Sequence, residues 1–212
     1  MPATLHEIVV PDSALAREAT ELVRDLTDDL LYHHSRRVYY FGALRGRHRG
    51  LTVDPELLYV GAMFHDLGLT PRHAGSTQRF EIDGADDAAE FLRRHGLPEQ
   101  AVTTVWTAIA LHTTPEIPHH LAPEIALVLA GVEVDVMGLA FDEMTNADRE
   151  AVVAEHPRPD FKRRILEAFH RGLAHRQATT FGTIKADVEA RFDPGFVRID
   201  FTEGVLASPW PE

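Results

Sequence analysis

Cysteine is absent from the 212 residues. Disulfides and thiolate metal sites are therefore excluded, and any metal must be held by nitrogen and oxygen donors. Also missing is an apolar run approaching the roughly 20 residues that span a bilayer. The first residues, MPATLHEIVVPDS, lack the basic start and continuous apolar stretch of a signal peptide, so a cytoplasmic location is expected. Positive charge is scarce. Lys and Arg total 21 against 33 Asp and Glu, a formal net charge of −12. Such a chain repels nucleic-acid phosphates and anionic membranes, and neither is expected as a partner. The basic stretches RGLAHR and FKRR are short and read as solvated helix faces. No low-complexity segment, fixed-period repeat or linker-like shift in composition divides the chain.

What is present is helical periodicity. Residues 1–12 read as extended. Ser13 is a plausible cap for a helix carrying Leu15, Ala19, Leu22, Val23, Leu26 and Leu30 on a 3.6-residue repeat. LLYHHSRRVYYFGALRG forms a second helix. Pro55 opens a third that runs through ELLYVGAMFHD to Gly68. Residues 69–78 read as a loop. FEIDGADDAAEFLRRH and PEQAVTTVWTAIALH are the next two helices, and Pro115 and Pro118 force a break.

LAPEIALVLAGVEVDVMG is ambiguous. Val132, Val134 and Val136 alternate as in a strand, whereas Leu127, Gly131 and Asp135 recur every four residues as in a helix. Its strand-free neighbours favour the helix. Asp160 is expected to cap DFKRRILEAFHRGLAHRQA, with Phe161, Ile165, Phe169 and Leu173 on one face. IKADVEARF is the last helix, and the tail from Asp193 reads as irregular. The expected class is all-α, in a single domain.

The principal chemical signal is the adjacent pair His65–Asp66 at the end of an apolar helix. An aspartate beside Val60, Met63, Phe64 and Leu67 is costly to bury unless it is paired or binds a cation. The same dipeptide could be a simple capping pair, and dipeptide motifs recur by chance. His34 lies near the apolar face of the preceding helix. Asp135 sits in an otherwise apolar segment, with Gly131 one turn earlier allowing close approach. Together these four supply two imidazoles and two carboxylates, a set suited to Zn²⁺, Fe²⁺ or Mn²⁺. His33 points about 100° away from His34 on one helix, so only one of them can face a metal squarely. Arg37, one turn after His34, either orients a carboxylate such as Asp66 or Glu81 or is an ordinary surface residue. Trp106 and Phe91 read as core, and His119 and His120 as exposed loop residues.

HSRRV, FHDLG and VEVDVMG, in this order on helices, resemble the H…HD…D signature of the HD superfamily of metalloproteins. HSRRVYYFG, AMFHDLGLT, RFEIDGADDAAEFL, VWTAIALHTT and the terminal SPWPE are similar to its cyanamide hydratase branch. The resemblance is good over roughly residues 30–140. It implies an HD-domain helical bundle in which His34, His65, Asp66 and Asp135 hold one divalent transition metal, Zn²⁺ foremost. Residues 30–140 would form the metal-binding core. Residues 1–29 would pack on it, and 141–212 would complete the same domain.

Two departures from other branches stand out. Many phosphohydrolase relatives follow His-Asp with a lysine that contacts phosphate. Here Leu67, Gly68, Leu69 and Thr70 follow, and the nearest cation in the sequence is Arg72. Dinuclear relatives carry a histidine in an H-P-x-x-G pattern, where this chain reads Phe80-Glu81-Ile82-Asp83-Gly84. Phe80 thus replaces a second-metal ligand and narrows the pocket. His112 matches another second-metal histidine. Without its partner it could contact substrate, transfer a proton, or simply face the helix dipole.

The expected reaction is hydration of a small nitrile, cyanamide to urea, by hydroxide made available at the metal. Asp66 belongs to the metal site, and His112 or Asp83 would carry the proton. Phe80, Glu81 and Thr113 would line the substrate pocket, Glu81 and Asp83 being alternatively orienting groups. The alternative is a metal-dependent phosphohydrolase acting on a nucleotide or other phosphomonoester, which would need cations around the phosphate. A non-catalytic ligand-binding protein of the same fold is a third class. The expected partner is a small molecule, and a homo-oligomer is left open.

Overall fold

The computed structural model describes residues 8–210. The extended reading of residues 1–7, and the last two residues of SPWPE, lie outside the described part. Every regular element among the described residues is helical, as the periodicity predicts.

α1 (Ala14–Leu26) is capped by Ser13, whose hydroxyl accepts from the Ala16 amide. α2 (Asp29–His48) is capped by Asp28. α3 (Pro55–Phe64) starts with proline at its first turn and Asp54 as cap. α4 (Phe80–Arg94) and α5 (Glu99–Leu111) follow. α6 (Pro123–Val132) runs directly into a π-helical turn, Glu133–Met137, that ends on left-handed Gly138. The ambiguous segment is therefore helical, with one wide turn at Asp135. α7 (Asn146–Glu155), held by a Thr145–Asp148 capping box, is an element the sequence reading did not isolate. α8 (Phe161–Leu173) and α9 (Lys185–Phe192) come next.

Several boundaries differ from expectation. α1 ends at Leu26, so Leu30 belongs to α2, and α8 ends at Leu173, short of the expected Ala178. α3 stops at Phe64, and Leu67–Leu69 form a separate 3₁₀ turn, so His65 and Asp66 sit in the bend between them. Asp160 stands at the α8 N-cap but in the left-handed region (φ 51°), and its side chain makes no capping bond. The tail is not wholly irregular, because α10 (Phe201–Leu206) forms where Asp200 caps two amides.

α2 is the central helix. It is covered by α3 and α6, with smaller contacts to α1, α7 and α8. Its contact with α6 is backbone-close, for a Cβ on Gly131 would lie 2.2 Å from the Val38 carbonyl oxygen. The expected close approach at Gly131 is thus present. α4 and α5 pack on each other and on α3. A large apolar cluster runs through α1 to α6 and reaches α7. A smaller one joins Leu30, Leu31, Leu69, Phe80, Phe161, Ile165, Ala168 and Leu173 under α8. Burying each large side chain contributes roughly 1.5–3 kcal/mol. The polar residues described below lie beside this smaller cluster. No helix among the described residues is long and apolar enough to cross a membrane.

Candidate metal centre

Three side chains from two neighbouring elements converge. His34 comes from the second turn of α2, and His65 and Asp66 from the bend after α3. The bend is tight because Gly68 leaves room for α4: a Cβ there would lie 1.9 Å from the Phe80 carbonyl oxygen. His34, His65 and Asp66 are at most 2% exposed. Their donor atoms form a triangle. His34 Nε2 is 3.2 Å from His65 Nε2 and 3.6 Å from Asp66 Oδ2, and His65 Nε2 is 3.3 Å from Asp66 Oδ2.

The proton positions follow from the partners. His34 Nδ1 donates to Asp135 Oδ2 at 2.6 Å, and His65 Nδ1 donates to the Ala62 carbonyl at 2.8 Å. Each Nε2 therefore keeps its lone pair. Two buried lone pairs facing each other at 3.2 Å beside an ionised carboxylate are unfavourable unless a cation lies between them. Both Asp66 oxygens are buried and lack a hydrogen-bond partner. Bonds of about 2.0–2.1 Å at tetrahedral angles place donors about 3.3 Å apart, which matches the triangle. The residues present thus fit a divalent transition metal, and these three form a metal-capable cluster. Burial opposes protonation of His34, whose pKa is lowered despite Asp135.

Asp135 occupies a different place from the one expected. It is not among the three converging groups. The π turn swings it behind His34, where both oxygens are engaged: Oδ1 by Arg37 Nε at 2.8 Å, and Oδ2 by Arg37 Nη2 at 2.9 Å and by His34. Burial pushes its pKa up, but His34 and Arg37 outweigh this and bring it to about 2. Asp135 thus fixes the tautomer and orientation of His34. Arg37 is fully buried and orients a carboxylate, but that carboxylate is Asp135 rather than Asp66 or Glu81.

His112 closes the fourth side. Its Nδ1 donates to the Ile109 carbonyl at 2.6 Å, and its unpartnered Nε2 lies 3.5 Å from Asp66 Oδ1. The Phe80 ring stands 5.5 Å from the His112 ring, and the Phe161 ring 5.4 Å from His34. His33 faces away, its Nδ1 3.2 Å from His156 Nδ1. His119 meets Glu133, and His120 is exposed. Phe91 is core, and Trp106 packs against that core with its indole N–H donated to Asp86.

The α4 carboxylates are anchored by Thr113, which the sequence reading named, and by Lys185, Arg176 and Ser76, which it missed. Glu81, fully buried, accepts from the Thr113 hydroxyl and from Lys185 Nζ. Asp83, expected as a proton carrier, is engaged by other groups. It is bound by Arg176 and by the Ser76 hydroxyl, so its charge is neutralised in a structural anchor. Arg176 also donates to the Gly68 and Gln78 carbonyls, tying the segment after α8 to the His-Asp bend. Arg72, the nearest cation in sequence, is half exposed and meets Asp87. The cation that the fold brings in is Lys185, more than 100 residues downstream. No local motif signals it, because its partner lies on another helix.

No curated protein matches the chain. The model of the HD domain family matches residues 31–164, more than half of the sequence and the part that carries His34, His65, Asp66, His112 and Asp135. With the buried His-His-Asp cluster in the bend after α3, the chain belongs to the HD domain family, which implies metal-dependent, hydrolase-type chemistry.

Proposed function

We propose that the protein hydrates a small uncharged nitrile, cyanamide to urea being the leading candidate. One observation carries this reading. The buried cations Arg37, Lys185 and Arg176 are committed to the buried carboxylates Asp135, Glu81 and Asp83, and half-buried Arg158 shares Asp135 with Arg37. A phosphate dianion needs uncommitted positive charge, whereas a neutral nitrile does not. The apolar walls supplied by Phe80 and Phe161 also favour a small neutral molecule.

When bound at His34, His65 and Asp66, a divalent ion supplies Lewis acidity and lowers the pKa of water toward neutrality. Zn²⁺ suits these donors, and Fe²⁺ or Mn²⁺ also would. Asp135, backed by Arg37, keeps His34 aimed. Phe80 and Phe161 exclude bulk water. His112 Nε2 has the lone pair needed to accept a proton from the attacking water as the C–O bond forms and to return it to the nitrile nitrogen, and then to carry the remaining hydroxyl proton from oxygen to that nitrogen in the same way. The balance is R–C≡N plus H₂O giving the amide R–C(O)NH₂. Entry would be through a cavity of about 550 Å³ whose lining includes Leu31, Leu69 and Ala168, three members of the cluster that also contains Phe80 and Phe161.

Phosphomonoester hydrolysis is the second reading, and Lys185 favours it. The sequence offered no lysine after His65-Asp66, yet Lys185 Nζ lies 5.4 Å from the Phe80 ring centre. The deciding experiment is an assay of metal-loaded protein on cyanamide and on nucleotide and simple phosphomonoesters. Urea above a metal-only control supports the first reading. Phosphate release without urea replaces it with the second.

A further inference from the structure

Lys162 and Lys185 are the only lysines among 21 basic residues. Lys185 opens α9, beyond the family-matched stretch, and is 1% exposed. Its ammonium bonds Glu81 Oε1, which also accepts from the Thr113 hydroxyl and has Arg79 Nη2 at 3.4 Å. Glu81 Oε2 is different: it is buried and has no hydrogen-bond partner. One oxygen of a wholly buried carboxylate is thus saturated while the other is bare. A bare buried carboxylate oxygen is unfavourable unless something donates to it.

Its location gives it a use. Glu81 follows Phe80, whose ring faces His112, and Thr113 follows His112. The Glu81–Thr113 pair, joined through the residue that follows His112, therefore adjoins the His112 side of the centre. An ionised carboxylate can only accept hydrogen bonds. Lys185 keeps it ionised by charge and holds it still through Oε1, leaving Oε2 as a fixed acceptor.

We infer that Glu81 Oε2 accepts a hydrogen bond from an N–H of the substrate, with Lys185 and Thr113 as positioning residues, so that the site selects nitriles bearing an amino group. This rests on the nitrile-hydration reading. It adds a discriminating residue to that reading, and it assigns α9, outside the matched stretch, a part in the site.

Cyanamide and acetonitrile are linear nitriles of nearly the same size that differ in NH₂ against CH₃. The test is calorimetric titration of each into Zn²⁺-loaded full-length protein, with urea production followed separately. Wild type is expected to bind cyanamide at least tenfold more tightly, the scale of a hydrogen bond to a charged group. Glu81→Gln, which presents an N–H where Oε2 stood, is expected to bring the ratio toward one while metal content stays at the wild-type level. Lys185→Met is expected to do the same, by releasing the carboxylate from its anchor. A wild-type ratio near one overturns the inference without recourse to any variant, as does a ratio that both substitutions leave unchanged. Discrimination without urea production would sink the hydration reading and leave the acceptor assignment standing. Urea production without discrimination would do the reverse. If neither nitrile binds, both fail.

Discussion

His34 and Asp135, 101 residues apart, are joined by a 2.6 Å bond from Nδ1 to Oδ2, and this contact turns the other ring nitrogen of His34 toward His65. The wide π turn between α6 and Gly138 makes the contact by advancing Asp135 against α2. Arg37 then holds both carboxylate oxygens.

The first prediction concerns that bond. Asp135→Asn keeps the shape but removes the charge that fixes the His34 tautomer and compensates Arg37. Metal affinity is expected to fall about 10–100-fold, the usual cost of losing a group behind a ligand. Competition with a chelator measures it. Complete loss of binding in a folded variant would show that Asp135 ligates directly.

Adjacent histidines on α2 separate ligand from scaffold. His34→Ala is expected to empty the site. His33→Ala should retain the metal, because its ring faces His156. Elemental analysis of both purified variants distinguishes them, and metal loss in His33→Ala alone would reverse the assignment.

The centre was legible because its signal is local. His65-Asp66 ends an apolar helix, and His34 follows a pair of leucines, so both positions stand out from their neighbours. The 3.6-residue repeats likewise gave α1 to α6, α8 and α9. Asp135 was legible as a buried acid but not as the partner of His34 Nδ1, since a π turn leaves no period to read. α7 escaped notice because its apolar face is short, with Val152 its one deeply buried hydrophobic residue. Lys185 and Arg176 could not be placed, because each acts on α4 from about 100 residues away.

His156 gives the fold an acid-sensitive point. Burial, with Arg36, His33 and Arg37 around it, lowers its pKa from 6.5 to about 3. Between these values the unfolded chain binds a proton that the folded chain does not. Stability must therefore fall as pH drops from about 6.5 toward 3, this contribution being level above 6.5. Urea midpoints at pH 7 and pH 5 should show a smaller drop for His156→Gln than for wild type. An equal drop in both would assign the acid sensitivity elsewhere.

The proposed entry beside Ala168 can be blocked. Ala168→Trp would fill part of the cavity that also touches Leu31 and Leu69. Turnover of a bulky nitrile is expected to fall more than that of cyanamide, with metal content unchanged. Equal effects on small and large substrates would point to another route.

Phe80 is expected to set the metal count. The residues resemble those of relatives in which a histidine at this position, with one matching His112, holds a second ion. Here the Phe80 ring lies 5.5 Å from His112, whose Nε2 has no partner and stands 3.5 Å from Asp66 Oδ1. Asp66 could therefore bridge two ions, but the second would have too few donors. Wild type is expected to carry one tightly held metal per chain. Phe80→His supplies the missing nitrogen and should raise the count toward two when metal is in excess. The same change removes a fully buried phenyl group from the cluster under α8, at a cost of roughly 1.5–3 kcal/mol. The metal-depleted variant should therefore melt below wild type and recover when metal is added, since an ion that binds only the folded state stabilises it. Elemental analysis together with thermal unfolding, with and without metal, tests both halves. Two ions in wild type, or one in Phe80→His at saturating metal, would remove Phe80 as the determinant of stoichiometry.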